Sequence, residues 1–371
     1  MNNLSKTRAT LQTHFTAHRS RIDCLAQMLH ALVKTRSVNL TELRTAMNGQ
    51  NQPESNERRL NRFLDTNVIN PADLILFVLL LLPPWNRQKL FLSLDRTEWD
   101  TNGATNNLLT IAVVIGKLSV PILSFDLGKA GTSRNADRIR IVKHMLKFIS
   151  VKHIQGFMAD REFASREFLN FLSKKQVKFF LRLKRDALVT FAGKIKQSGD
   201  WFNTSKELKL ENCTVYGQNL SIAGKTIKDG RDVLIVATNS NVDDALKIYR
   251  LRWRSDHARR CILWSRIETM FSALKTRGFH LEDTRVTLKL RIERLMQVLT
   301  VTLVWCLRVG ALVVDKRATR VMKNGRLMHS VFRRGLDAFR GLLFEGVSRV
   351  LSWSEVFCKF DGNDVFVVFV T

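Results

Sequence analysis

Leu90-Phe-Leu-Ser-Leu-Asp95-Arg-Thr-Glu-Trp99 and Ile154-Gln-Gly-Phe-Met-Ala-Asp160 decide the fold reading of this chain. Each is a short apolar run that ends on an aspartate. An aspartate in or at the end of a buried strand is costly unless it is paired or metal-bound. Between them, Leu108 to Ile115 is rich in β-branched residues, Gly116-Lys117 reads as a turn, and Val120 to Leu127 as another strand. The pattern predicts a three-stranded antiparallel meander with Asp95 near the middle of the sheet edge. Ala136 to Ile149 follows with helical periodicity, then the strand ending at Asp160. Ser165 is a candidate helix cap before Phe168, Leu169 and Leu172, and Phe179 to Leu183 is a further strand.

Outward from this centre, residues 1–89 read as a helical domain. Leu25, Leu29 and Leu32, then Leu40, Leu43 and Met47, recur at helical spacing. Arg58, Arg59 and Arg62 stand beside the apolar Leu60, Phe63 and Leu64, which suits a basic helix face docking on DNA. Residues 184–232 carry Gly193, Gly199, Gly217, Gly224 and Gly230 between short alternating segments, the pattern of an all-β insertion. Val233 to Ala237 returns to the main sheet, and Asp243 onward is helical to about residue 310. The whole is an α/β architecture in which 90–310 is the central domain and 311–371 a basic helical tail with Arg317, Arg320, Lys323, Arg326, Arg333, Arg334 and Arg340.

The charge points to the partner. Sixty Lys and Arg against 33 Asp and Glu leave +27 at pH 7 over 371 residues. So positive a surface attracts a polyanion, because each neutralised phosphate releases counterions. Nucleic acid is the expected partner, and no basic amphipathic helix argues for a membrane. The five cysteines are widely spaced without a CxxC pair, so neither a zinc site nor a disulfide framework is expected. The longest purely apolar run, Leu74 to Leu82, is nine residues, too short to span a bilayer. The start, MNNLSKTRAT, lacks the apolar core of a signal peptide. A cytoplasmic, nucleoid-associated protein is expected.

Strands, helix, strand, more α/β and a late helix is the order of an RNase H-like (ribonuclease H) domain. Its chemistry requires three carboxylates converging from distant points to hold two hard divalent ions about 3.5–4 Å apart. Leu94-Asp-Arg-Thr-Glu-Trp99, Met158-Ala-Asp-Arg-Glu-Phe163 and Ile267-Glu-Thr-Met-Phe-Ser-Ala-Leu-Lys-Thr-Arg-Gly-Phe279 resemble the insertion-sequence-four family of DDE transposases. Leu281-Glu-Asp-Thr284 also fits, and the resemblance spans roughly residues 55 to 340. It implies an RNase H-like domain with a β-rich insertion, and a helical N-terminal region that binds terminal inverted repeats. It implies cut-and-paste transposition into target DNA by a homodimer on paired double-stranded ends. It further implies two Mg²⁺ or Mn²⁺ ions, held by Asp95, Asp160 and Glu268.

The family also carries the signature Y-x2-R-x3-E-x6-K, whose four side chains fall within about 60° of arc on a helix. Glu then holds metal while Tyr, Arg and Lys grip phosphate. Tyr249, Arg252, Glu268 and Lys275 match by type, and Glu268 to Lys275 keeps the spacing. Between Arg252 and Glu268, however, fifteen residues stand where the family has three, an excess of twelve, approximately 255–266. An unbroken helix would carry Glu268 about 18 Å further along the axis and rotate it by about 120°. Either the segment loops out, or Tyr249 and Arg252 are lost from the site. Asp256 stands where the family's Glu would, a second candidate for the third ligand.

Arg96 and Arg161, each following an aspartate, either contact phosphate or pair with a neighbouring acid. Trp99, Trp253 and Trp264 either stack on an unpaired base or pack in the core. His14, His18, His30, His144 and His153 lack ligand spacing. The leading expectation is an active insertion-sequence transposase. A decayed copy that binds DNA without cutting it, and a metal-dependent nuclease without strand transfer, are the alternatives.

Overall fold

The computed structural model describes residues 3–47, 52–82, 87, 89–101, 103–116, 118–202, 206–227, 232–252, 266–316 and 330–345. Five helices come first: α1 (Asn3–His14), α2 (Arg19–Thr35), α3 (Leu40–Ala46), α4 (Pro53–Asp65) and α5 (Pro71–Leu79). The meander follows as β1 (Leu90–Thr101), β2 (Ala104–Ile115) and β3 (Leu118–Asp126), then α6 (Asn135–Met145), β4 (Ile154–Ala159), α7 (Arg166–Lys174) and β5 (Phe179–Arg182). After β6 (Leu188–Phe191), β7 (Lys194–Gln197), α8 (Ser198–Trp201), β8 (Leu208–Val215) and β9 (Gln218–Ile227) comes β10 (Asp232–Thr238). The rest is helical: α9 (Ala245–Arg250), α10 (Arg266–Leu274), α11 (Lys289–Lys316) and α12 (Val331–Glu345).

The strands form one mixed, mostly antiparallel sheet of ten, in the order β3-β2-β1-β4-β5-β10-β9-β8-β6-β7. Its parallel pairings are β1 with β4 and β4 with β5. β1 is thus an interior strand rather than an edge. It also runs well past Asp95, which pairs with Thr110 in mid-strand. The polar stretch after Asp95 extends because β2 is buried along nearly its whole length and offers a continuous ladder. Thr101 pairs with Ala104 across Asn102-Gly103, and Gly103 takes φ +78°, the left-handed geometry of a two-residue hairpin turn. Lys117 of the Gly116-Lys117 turn lies outside the described residues. Ser165 caps α7 as expected, its hydroxyl accepting from the Phe168 N–H at 3.4 Å. The β-rich stretch continues the main sheet beyond β10, with β9 paired along it.

Alternation along the strands sends side chains to two faces. Leu92, Leu94, Phe157 and Ala159 join a continuous apolar core shared with the N-terminal helices, α11 and α12. Met158, Phe180 and Val236 face the other way and pack under α9 with Leu246 and Tyr249. Ser93 stands opposite Met158 in the register, so Asp95, two residues on, shares the α9 side. The helical N-terminus is tied to the rest by Arg291, whose guanidinium pairs with Asp65 at 2.7 and 2.8 Å, and by Arg294, which donates to the Leu64 carbonyl at 2.6 Å.

α11 runs unbroken for 28 residues through position 310, where the sequence reading set a domain boundary. Its stretch Lys289–Val314 is long and apolar enough to cross a membrane, yet 83% of its most apolar window is buried inside the protein. It is the helix against which α2, α4, α5, β3 and α12 all pack. Arg317, Arg320, Lys323 and Arg326 lie outside the described residues.

His30 is fully buried in α2, and Nε2 lies 2.7 Å from the Thr7 hydroxyl. That hydroxyl donates to the Asn3 carbonyl at 3.1 Å, so it accepts from His30 and assigns the proton to Nε2. Burial, with Lys34 nearby, pushes the imidazole down to about 3. A lowered pKa means the unfolded chain takes up the proton first. The stability this group contributes is therefore complete above about pH 6.5 and declines as pH falls toward 3, by about 1.4 kcal/mol per unit. Urea unfolding at pH 7 and pH 5 will show a steeper loss in the native protein than in His30→Gln. Equal slopes would remove His30 as the source.

Candidate active site: two aspartates on neighbouring strands

The site begins with the parallel pairing of β1 and β4. Leu94 stands opposite Ala159, so the residues that follow, Asp95 and Asp160, sit side by side. Each aspartate accepts the N–H of the next residue through Oδ1: Arg96 at 2.9 Å and Arg161 at 2.8 Å. β4 ends there while β1 continues. The Asp95 side chain is accordingly 15% exposed and that of Asp160 38%.

α9 and the turn just after it supply the partners. Tyr249 and Arg252 lie three residues apart, and α9 packs over β5, β9 and β10. Arg252 Nη2 lies 2.6 Å from Asp95 Oδ2, and Nη1 lies 3.8 Å from Asp160 Oδ1. The same Nη1 donates to the Tyr249 hydroxyl at 3.4 Å, and that hydroxyl donates to Asp160 Oδ1 at 3.4 Å. One guanidinium thus lies against both carboxylates. Burial pushes the Asp95 carboxyl up, with Arg252 pulling it back and Asp160 adding to the rise. Burial also acts against the charge on Arg252, but Asp95, Tyr249 and Asp160 outweigh it and the net shift is upward. A guanidinium does not deprotonate in proteins, so Arg252 stays cationic beside the two carboxyl groups. Burial pushes the Tyr249 phenol up to about 12, which keeps it a hydrogen-bond donor.

The structure also answers the spacing question around Arg252. The Arg266 N–H donates to the Arg252 carbonyl at 2.7 Å. The chain leaves at Arg252 and is back beside it at Arg266, so the 18 Å displacement of an unbroken helix does not arise. Residues 253–265, which include Asp256, Trp253 and Trp264, lie outside the described residues. Arg266 is buried and donates to the Gly116 carbonyl, pinning the start of α10 to the β2–β3 turn.

Glu268 lies in the first turn of α10 and is exposed. Among the described residues, no three His, Cys, Asp or Glu side chains are close enough together to hold a metal ion. Asp95 and Asp160 are brought together, and Glu268 does not complete a three-carboxylate group with them. By donor type, two adjacent carboxylates fit a hard divalent cation. The cationic place between them is held here by Arg252.

Lys275 lies 2.8 Å from Glu282, donates to the Glu98 carbonyl at 3.1 Å, and stands 5.3 Å over the Trp99 ring. Trp99 itself is 6% exposed, the core-packing alternative rather than a stacking platform. Arg96 is paired with Glu98 at 2.8 Å and Glu162 at 3.1 Å, whereas Arg161 is exposed. Arg182 was not singled out from the sequence. Its guanidinium is 3.0 Å from Asp232 and 3.9 Å from Asp160. The available signal was a lone charge closing the buried strand Phe179-Phe-Leu-Arg182.

The N-terminal arginines divide. Arg58 and Arg62 are exposed. Arg59 pairs with Asp23 at 2.8 Å and donates to Gln27 at 3.2 Å, clamping α4 onto α2. If this basic face docks on DNA as the sequence reading expects, replacing Arg58 or Arg62 with Ala will weaken duplex binding and lower its salt dependence by about one ion each, leaving stability unchanged. Arg59→Ala will instead lower stability by about 1–3 kcal/mol. Electrophoretic mobility shifts across a salt series and urea titrations check the division; an unchanged salt slope in Arg58→Ala and Arg62→Ala would remove this face from the DNA interface. Compared with family models and with curated proteins, the chain matches none.

Proposed function

We propose that this chain is a DNA cleavage and strand-transfer enzyme of the DDE type, built on an RNase H-like domain. More narrowly, we propose that it is the transposase of an insertion sequence of the insertion-sequence-four family. It would act as a homodimer on double-stranded terminal inverted repeats and on target DNA, in the cytoplasm. The observation that carries the reading is the placement of Asp95 and Asp160 side by side on parallel strands, with Tyr249 and Arg252 delivered onto them. Support for the RNase H-like reading comes from the antiparallel β1–β3 meander with β4 and β5 added in parallel beside β1. The +27 charge supports a polyanionic substrate.

Asp95 and Asp160 would hold divalent Mg²⁺ or Mn²⁺, with Glu268 approaching from α10. Bound there, two such ions would activate the attacking oxygen and stabilise the leaving oxygen of phosphoryl transfer. Tyr249, Arg252 and Arg182 offer donors beside the carboxylates, where a scissile phosphate would lie. Lys275 joins them once it exchanges Glu282 for phosphate. The exposure of Glu268 and the Arg252 bridge favour a second reading, a protein that binds DNA ends without cutting them.

Cleavage of a labelled duplex carrying the element's own end separates the two. With Mn²⁺ the protein will cut, and excising residues 254–264 will leave the rate within about tenfold, because Arg252 and Arg266 already meet. Binding without cutting, by both the full chain and the shortened one, would establish the second reading.

A further inference from the structure

The guanidinium of Arg252 is 4% exposed and lies against two carboxylates, yet its Nε is buried with no hydrogen-bond partner among the described residues. A guanidinium dedicated to structure normally places its donors on acceptors, since a buried unmet donor is costly. Here Nη2 donates to Asp95 and Nη1 to Tyr249, while Nε is unmet, as it also is at Arg44 and Arg266; what sets Arg252 apart is that its one guanidinium lies against two carboxylates. Its position is also reached from the end of α9 by a long, rotatable stem, whereas Tyr249 is fixed in the core beneath.

We infer that Arg252 is an internal counter-cation that competes with divalent metal for the Asp95–Asp160 pair, so that the Arg252 bridge and a loaded metal site exclude one another. This rests on the reading of Asp95 and Asp160 as metal ligands. A hard divalent ion sits about 2.1 Å from its carboxylate oxygens. Arg252 Nη2 already lies 2.6 Å from Asp95 Oδ2. Both cations against one oxygen would repel in a poorly solvated site, where screening is weak. Entry of metal therefore sends the guanidinium outward, toward where a DNA phosphate arrives. Without DNA the bridge keeps the carboxylates paired and the site shut. Phosphate, by taking over the displaced guanidinium, favours metal loading, and the two bind cooperatively.

Binding of Mn²⁺ to the full chain, read from the electron paramagnetic resonance signal of the free ion, tests this without any cleavage. Arg252→Gln will bind Mn²⁺ at least about tenfold more tightly than the native protein, the expected result of removing one repelling charge. Adding Asp95→Asn to Arg252→Gln will abolish the gain. Equal affinity in the native protein and Arg252→Gln would overturn the competition while leaving the metal ligands standing. No binding by either at millimolar Mn²⁺ would overturn both. Should Arg252→Gln fail to fold, phenylglyoxal labelling of the native protein decides. The peptide carrying Arg252 will be modified with Mn²⁺ present and protected without it; protection in both would overturn the inference.

Discussion

On the proposed function, Asp160→Asn will abolish DNA cleavage, by about a thousandfold or more, and leave stability to urea almost unchanged. Asp95→Asn will lose cleavage to the same extent and about 3–5 kcal/mol of stability besides. On that proposal the two aspartates share one chemical task, but they differ in surroundings. Asp160 closes β4 at the rim, with a side chain 38% exposed, and water can replace what its charge contributes to folding. Asp95 lies in mid-strand at 15% exposure, and its Oδ2 is the closest partner of a guanidinium that is 4% exposed. Neutralising Asp95 strands that charge, with the next carboxylate 3.8 Å away. The loss of cleavage follows from removing one of the carboxylates on which charge stabilisation of the transition state depends, several kcal/mol at about 1.4 kcal/mol per tenfold in rate. Gel assays of nicking and urea titrations of both variants read the two effects separately. Cleavage by Asp160→Asn within tenfold of the native rate would remove Asp160 from the chemistry.

Gly335→Ala will destabilise the protein by about 3 kcal/mol or more, the upper range for overpacking a core, and Gly310→Ala by a comparable amount. The two glycines stand where α11 and α12 cross. A methyl group added at Gly335 would overlap the Cys306 carbonyl oxygen, and one added at Gly310 the Val331 carbonyl oxygen. Both obstacles are backbone, which cannot rotate aside as a side chain can. The helices must separate, and Trp305, Phe339 and Leu336, buried between them, lose their packing. Because α11 is also the support for α2, α4, α5 and β3, the loss is transmitted to the whole helical half. Urea midpoints of the two variants check this. A change below 1 kcal/mol in either would mean that the crossing relaxes without cost.

The elements were readable because their signals are local. The apolar run before Asp95, the β-branched Leu108 to Ile115, and Ser165 ahead of Phe168 each declare a strand or a cap within a few residues. The extent of β1 was not readable. Nothing in Arg96-Thr-Glu-Trp99 favours a strand as strongly as the ladder of β2 that holds it there. For the same reason the β-rich stretch was legible as strands but not as a continuation of the main sheet, since adjacency depends on which edge is free.

The sequence by itself determined that two aspartates terminate or interrupt apolar strands, in an order that fits three-carboxylate chemistry. It also determined the strong positive charge, +27 at pH 7, from which a polyanionic partner is proposed. Only the tertiary structure decided which charges meet. Arg252 and Asp95 are 157 positions apart, and their 2.6 Å contact exists because α9 lies across the face to which Asp95 points. Arg252 and Arg266 are separated by residues 253–265 yet share a backbone hydrogen bond, which favours the looping-out of the two alternatives that spacing alone left open. Lys275 and Arg59 read as phosphate donors, and Arg96 as either that or a partner of an acid, until Glu282, Asp23 and Glu162 are brought to them. Periodicity encodes the face a residue takes on its own element. A charge finds its partner through long-range packing, and burial then fixes how strongly the two are held.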